Sequence, residues 1–201
     1  LKEEEVYLNI LVTENKHYKV DSLIYIGLDN VPPETDKLLK KISSFHTKNF
    51  YDKSLIIQQT NQMIDLLQNN GFMNARLKKD SATVVKKYGN SFEDKLTVTV
   101  YFEGADSIFY FGKTEISIPK NKYNVDVELL REEIEYKEGE IYSKEIKLLS
   151  ENNITNVPIV QSVRISPVEV NGNKVDFNAE VILNNKTDII PYGNAVVIDN
   201  I

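Results

Sequence analysis

Tyr18-Lys19-Val20-Asp21 and Phe109-Tyr110-Phe111-Gly112 open two stretches that run side by side through the chain at one fixed offset. Leu38-Leu39-Lys40-Lys41 falls on Leu129-Leu130-Arg131-Glu132, and Phe50-Tyr51-Asp52-Lys53 falls on Ile141-Tyr142-Ser143-Lys144. The three landmarks lie 91 residues apart (18 to 109, 38 to 129, 50 to 141), with no gap between them. A spacing of about 90 residues is too long for a solenoid repeat, which runs roughly 20–50. It suits two tandem small domains, each with its own core. Two similar modules in series suit binding or positioning, and catalysis in such a chain needs evidence of its own.

The 201 residues, 41% of them hydrophobic, are enough for small cores. Eight Gly and six Pro exclude a low-complexity chain. The net charge of −6 argues against nucleic acid as a partner, and there is no basic stripe with interleaved aromatics. No apolar run reaches the roughly 18 residues of a membrane-spanning helix. Cysteine is absent, which removes disulfides, thiolate metal sites and thiol nucleophiles. The sequence begins at Leu1 with no signal peptide ahead of it, so a processed or excised segment is expected.

Period-2 alternation marks three strands with one buried face. They are Val6, Leu8, Ile10 and Val12; Leu96, Val98, Val100 and Phe102; and Val175, Phe177, Ala179, Val181 and Leu183. Two of these strands stand just ahead of a repeat landmark. Residues 1–14 therefore read as the last strand of a preceding, truncated module. The alternative is an N-terminal strand of the first complete module.

Each complete module then reads strand, helix, helix, strand, strand. In the first, a strand spans 17–27 and Pro32-Pro33 starts a helix with Leu38, Leu39 and Ile42 inward. Asp52 caps a second helix with Ile56, Met63, Ile64 and Leu67 inward, ended by Asn70-Gly71. Strands follow at 73–87 and 95–103. In the second module, a strand spans 109–118 and a helix 126–135, with Val127, Leu130 and Ile134 inward. A helix over 143–152, shorter by about one turn, precedes strands at 160–169 and 174–184, joined by the hairpin signal Asn171-Gly172. The apolar phase flips at Gly112, as a bulge requires. Pro167 inside a strand predicts an edge strand, where the missing donor costs no ladder bond.

The search for chemistry yields little. His17 and His46 lie in different elements and have no metal-pair spacing. Glu132, Glu133, Glu135, Glu138 and Glu140 lack the Asp-rich spacing of a calcium loop and read as a solvated helix end. Glu3-Glu4-Glu5 reads as a solvated terminus. Asn153-Ile154-Thr155 and Asn185-Lys186-Thr187 match a glycosylation pattern short enough to arise by chance. No phosphate loop and no nucleophile–base arrangement appears, so no catalytic residue, metal or cofactor is expected. The open edge has two readings. It can accept a guest strand, or it is merely blunted by Pro167, Lys78, Lys79, Lys86 and Lys87.

Several pieces resemble the POTRA (polypeptide-transport-associated) domain. Tyr18 to Leu23 and Phe109 to Thr114 are similar to the family's opening aromatic-x-hydrophobic-Gly-x-hydrophobic strand. Phe50-Tyr51 and Gly139-Glu140-Ile141-Tyr142-Ser143 resemble its Gly-x-x-Tyr lead-in to the second helix. Asn70-Gly71-Phe72 resembles its exit from that helix. Lys137 to Lys144 resembles the last POTRA module of TamA-type proteins. Asp21 departs from the expected Gly, and Asn156-Val157-Pro158-Ile159 replaces the second exit Gly.

The resemblance implies an α+β fold of tandem POTRA modules, each with two helices packed on a three-stranded mixed sheet. It divides the chain into a preceding strand (1–16), modules at 17–105 and 106–186, and a tail (187–201) leading toward a β-barrel that this chain does not contain. It implies a TamA-like assembly factor at the periplasmic face of a Gram-negative outer membrane. The partners implied are unfolded outer-membrane or autotransporter clients, the protein's own barrel and an inner-membrane partner subunit. A BamA-like or two-partner-secretion parent and a barrel-less periplasmic scaffold are the alternatives. The docking surface expected is the next-to-last strand of each module: Asn74, Arg76, Lys78 and Val84 in the first, and Gln161, Val163, Ile165 and Val168 in the second. Proline at Ile165 is expected to weaken capture and spare the fold.

Overall fold

Alternation along the last strand of each repeat builds two sheets, each with that strand at its centre. The computed structural model describes residues 18–43, 50–79, 83–87, 95–119 and 125–184. The strand expected over 6–12, Glu3–Glu5, His17, His46, Asn185 and the tail lie outside them.

In the first module, β1 (Lys19–Ile26), α1 (Pro33–Ser43) and α2 (Lys53–Asn69) precede β2 (Arg76–Leu77), β3 (Thr83–Lys87) and β4 (Lys95–Glu103). β4 pairs parallel with β1 and antiparallel with β2 and β3. In the second, β5 (Tyr110–Ser117), α3 (Val127–Arg131) and α4 (Lys144–Thr155) precede β6 (Val160–Asn171) and β7 (Lys174–Leu183). The order β5-β7-β6 again puts the last strand at the centre, parallel to β5 and antiparallel to β6. Leu96, Val98, Val100 and Phe102 of β4, and Val175, Phe177, Ala179 and Val181 of β7, are buried. The expected α+β fold, two helices on a mixed sheet in each of two tandem modules, is the one observed; the second sheet has the expected three strands, and the first has four because its outer strand is split into β2 and β3.

The repeat extends to individual backbone bonds. Lys19 bridges Phe50, and Tyr110 bridges Ile141. The Tyr51 N–H donates to the Tyr18 carbonyl (2.6 Å), and the Tyr142 N–H to the Phe109 carbonyl (2.9 Å). Asp52 and Ser143 then cap α2 and α4, Asp52 accepting the Ser54 and Leu55 N–H groups and Ser143 that of Ile146. Both opening strands carry one extra residue, between Val20 and Ser22 and between Phe111 and Thr114. The bulge forms with Asp21 in one module and Gly112 in the other. At Gly112 a Cβ would sit 2.0 Å from Asp176 Oδ1, which accepts the Lys113 N–H at 2.7 Å. That carboxylate packed against the chain is the reason the second bulge takes glycine. The phase shift lets Phe109, Phe111, Ile116 and Ile118 share one core.

Some expectations need correction. The helix expected over 126–135 stops at Arg131. The Glu135 N–H donates to Ser150 Oγ (2.9 Å), and Tyr136 stacks on Phe111 with centroids 3.8 Å apart. Both pull the chain off the helix axis. Leu38 is 41% exposed; Leu39 takes the core position. The strand expected over 73–87 is interrupted, because Met73 and Asn74 turn the chain out of α2 and β2 and β3 form separately. α4 runs to Thr155, twelve residues against seventeen for α2. The hairpin's two turn residues are Gly172 and Asn173, since Asn171 pairs with Lys174.

The modules meet at the end of α2. The Phe109 N–H donates to the Gly71 carbonyl (2.8 Å). Lys144 Nζ lies 2.8 Å from Asp65 Oδ1. The Glu145 N–H donates to Asn69 Oδ1 (2.9 Å), so α4 is capped by Ser143 from its own module and Asn69 from the other. Met73 packs against the second core and Ile108 against the first. Gly71 has φ +93°, and a Cβ there would sit 2.6 Å from Ile108 Cγ2.

Candidate functional site

β6 is the outer strand of the second sheet, as Pro167 predicts. Its partner on one side is β7, with Val163 opposite Val181, Ile165 opposite Ala179 and Pro167 opposite Phe177. The Ile165 N–H points away from β7, because it donates to Glu151 Oε1 of α4 at 2.7 Å. In an antiparallel pair such residues alternate, so Val163 and Pro167 also turn their backbone groups outward. Pro167 thus occupies a position where its missing N–H costs no bond to β7.

The outer ladder borders a groove of about 590 Å³ between β6 and α4. Tyr142 and Phe177 form part of its floor, Met73 reaches it from the first module, and Lys147 and Glu151 stand at its edge. Lys147 Nζ lies 2.9 Å from Glu151 Oε1 and 3.3 Å from the Ile165 carbonyl oxygen. The two side chains are only 16% and 15% exposed. Burial pushes the Tyr142 hydroxyl up to about 12, with the Glu151 and Tyr136 charges adding to the shift. Tyr136 is raised by burial too, against the opposing pull of its hydrogen bond with Thr114.

The expected docking residues divide unevenly. Gln161, Val163, Ile165 and Val168 all belong to β6. Gln161 sits at the register shift between Val160 and Ser162, and Val168 at the one between Pro167 and Glu169, where it is 65% exposed. Ile165 is a core residue, 2% exposed, so proline there would remove a buried side chain and the bond to Glu151 together. The expectation that Ile165→Pro spares the fold is corrected on that ground.

The first-module residues do not form one edge. Asn74 lies in the turn before β2, and Arg76 pairs with Glu103 across the ladder at 2.6 Å. The Lys78 N–H donates to the Tyr101 carbonyl of β4 at 3.0 Å, which turns it toward the sheet. Val84 stands on β3, opposite Val98, and is 45% exposed.

Sequence reasoning does not single out Lys147, Glu151 or Met73 here, and it marks Tyr142 only as a fold landmark. The one signal for the pair is the i, i+4 spacing of Lys147 and Glu151, which on a helix usually means a solvated pair. In the acidic run, Glu138 pairs with Lys174, Glu140 accepts the Lys137 N–H and Glu135 accepts from Asn153. Among the described residues no three groups come together that could hold a metal ion.

No protein-family model matches the sequence, and no curated protein matches it either. Solved structures do match the fold. Haemophilus influenzae BamA POTRA3-5 is 19% identical, with a TM-score of 0.55 over 83% of this chain and 61% of that one. BamA from Haemophilus ducreyi lacking POTRA domains 1-3 is 18% identical, with a TM-score of 0.64 over 84% of this chain and 30% of that one. The chain thus spans less than two thirds of either protein. Strand order, paired helices and the second-helix lead-in recur twice here, and the fold of this chain is that of tandem POTRA domains.

Proposed function

We propose that the chain is the periplasmic POTRA region of a TamA-like outer-membrane assembly or translocation factor. Its modules, 17–105 and 106–186, act without catalysis or cofactor. They receive unfolded β-barrel or autotransporter segments, or an inner-membrane partner subunit, by strand addition and pass clients toward a barrel. The observation that carries the reading is the outer ladder of β6, a twelve-residue edge strand beside a groove that can seat side chains of a guest. Backbone pairing demands little of the guest's sequence, and a groove beside the edge adds selectivity. Clients rich in extended, alternating segments fit that surface. A BamA-like parent or a barrel-less scaffold would use the same edge. A heat-shifted gel band of the natural protein from outer membranes supports a barrel parent, and an unshifted band from the soluble fraction supports the scaffold.

Photo-crosslinkers placed singly at Gln161, Val168 and Glu115 test the docking surface. A urea-unfolded outer-membrane barrel protein is diluted into each variant. The expected result is crosslinking from Gln161 and Val168 on β6 and little from Glu115 on β5. Equal yields from both edges would show that contact is nonspecific and sink the β6 assignment.

A further inference from the structure

The outward N–H and C=O of Ile165, at the middle of the proposed docking edge, are already occupied. Glu151 accepts the N–H (2.7 Å) and Lys147 donates to the carbonyl (3.3 Å), while the two charges pair at 2.9 Å. A carboxylate oxygen and an ammonium group here play the parts of the carbonyl and amide of a neighbouring strand. We propose that the Lys147–Glu151 pair is a displaceable plug, a built-in competitor that closes the β6 edge until a guest backbone replaces it. The inference rests on the strand-addition reading of β6.

Three observations support displacement over a fixed structural role. The pair is bound at Ile165, whose side chain is buried in the core at 2% exposure, so the backbone it covers stays put when the pair leaves. With Pro167 lacking an N–H, only Val163 and Ile165 can donate along this stretch, so a plug at Ile165 removes half of the donors. Finally, both plug groups sit on long side chains at the groove's border, and an outward rotation returns their charges to water. Guest and plug make the same two bonds, so exchange is close to balanced and capture is reversible. Charged groups at a strand edge block unwanted pairing, and here the block is removable.

The test uses the 201-residue chain and a fluorescent synthetic peptide with the sequence of Lys174–Leu183, which already pairs with the inner side of β6. Binding is read by anisotropy. A plug closed in about nine-tenths of molecules weakens apparent affinity about tenfold, so Glu151→Ala should tighten binding by about that factor. Glu151→Asp keeps the charge but shortens the reach, and should also tighten binding; it serves if the alanine variant fails to fold. A fixed structural role predicts the opposite, weaker binding from both variants as the edge loses its brace. Equal or weaker binding by folded variants overturns the plug and leaves the edge reading standing. No binding by any variant, wild type included, overturns both.

Discussion

The two modules begin their second helices at matching residues, yet their outer edges differ. In the second, α4 lies against a continuous β6, and Lys147 and Glu151 reach Ile165. In the first, α2 is longer by five residues (17 against 12), and the edge is broken into β2 and β3. α2 reaches that edge at its start, where Gln68 Nε2 donates to the Ala75 carbonyl at 2.9 Å. One module therefore presents a long, guarded edge and the other a short, interrupted one. Duplicated folds can share every core-facing rule and still differ in what they offer a partner, because an edge is decided by where the flanking helix ends.

The cores differ as well, and the largest predicted effect tests that difference. Phe177 contacts the rings of Phe111, Tyr136 and Tyr142, whereas Phe102 of the first module contacts Tyr25. Phe177→Ala should cost the second module about 3–5 kcal/mol by urea unfolding. A loss below about 2 kcal/mol would mean that the aromatic cluster relaxes around the cavity and does not set the second core apart.

A smaller effect asks whether the modules differ independently or as a coupled pair. Gly71→Ala forces a positive φ on a side chain that meets Ile108 and Ile141, and should cost about 1–3 kcal/mol. Because Gly71 also accepts the Phe109 N–H, amide exchange should rise at both Phe109 and Glu145. Protection unchanged at Glu145 would show that the α4 cap forms without the junction.

The smallest effect is alkaline. Tyr25 in the first module and Tyr142 in the second are both pushed up to about 12 by burial, and Tyr136 is raised in the second. Between pH 10 and 12 the unfolded chain loses these phenol protons and the folded chain keeps them. Stability is therefore whole below pH 10 and falls as pH rises toward 12. With two raised tyrosines against one, the second module should lose more, as followed by near-ultraviolet circular dichroism during unfolding at pH 8 and 11. Equal losses would remove this distinction between the modules.

Much of this is legible in the sequence itself. The alternation in Leu96–Phe102 and Val175–Val181 gave the buried strands, the landmarks gave the repeat, and Pro167 gave the edge. Asp52 and Ser143 sit where local capping chemistry puts them. The misreadings share one cause. Leu38, the end of α3 and the fate of Ile165 each depend on which neighbour arrives from elsewhere in the chain. Tyr136 leaves the expected helix because Phe111 offers a ring to stack on, and nothing between residues 126 and 135 announces it.

The sequence alone determined the two modules, their strand and helix order, the bulge at Gly112 and the Asp52 cap, because these follow from periodicity and from bonds within a few residues. Only the tertiary structure decided what meets the outer edge of β6. Lys147 and Glu151 read as an ordinary solvated helix pair until α4 is packed on β6. The spacing of two side chains along a helix is local, but the groups they meet across a sheet edge are set by the packing of the whole module.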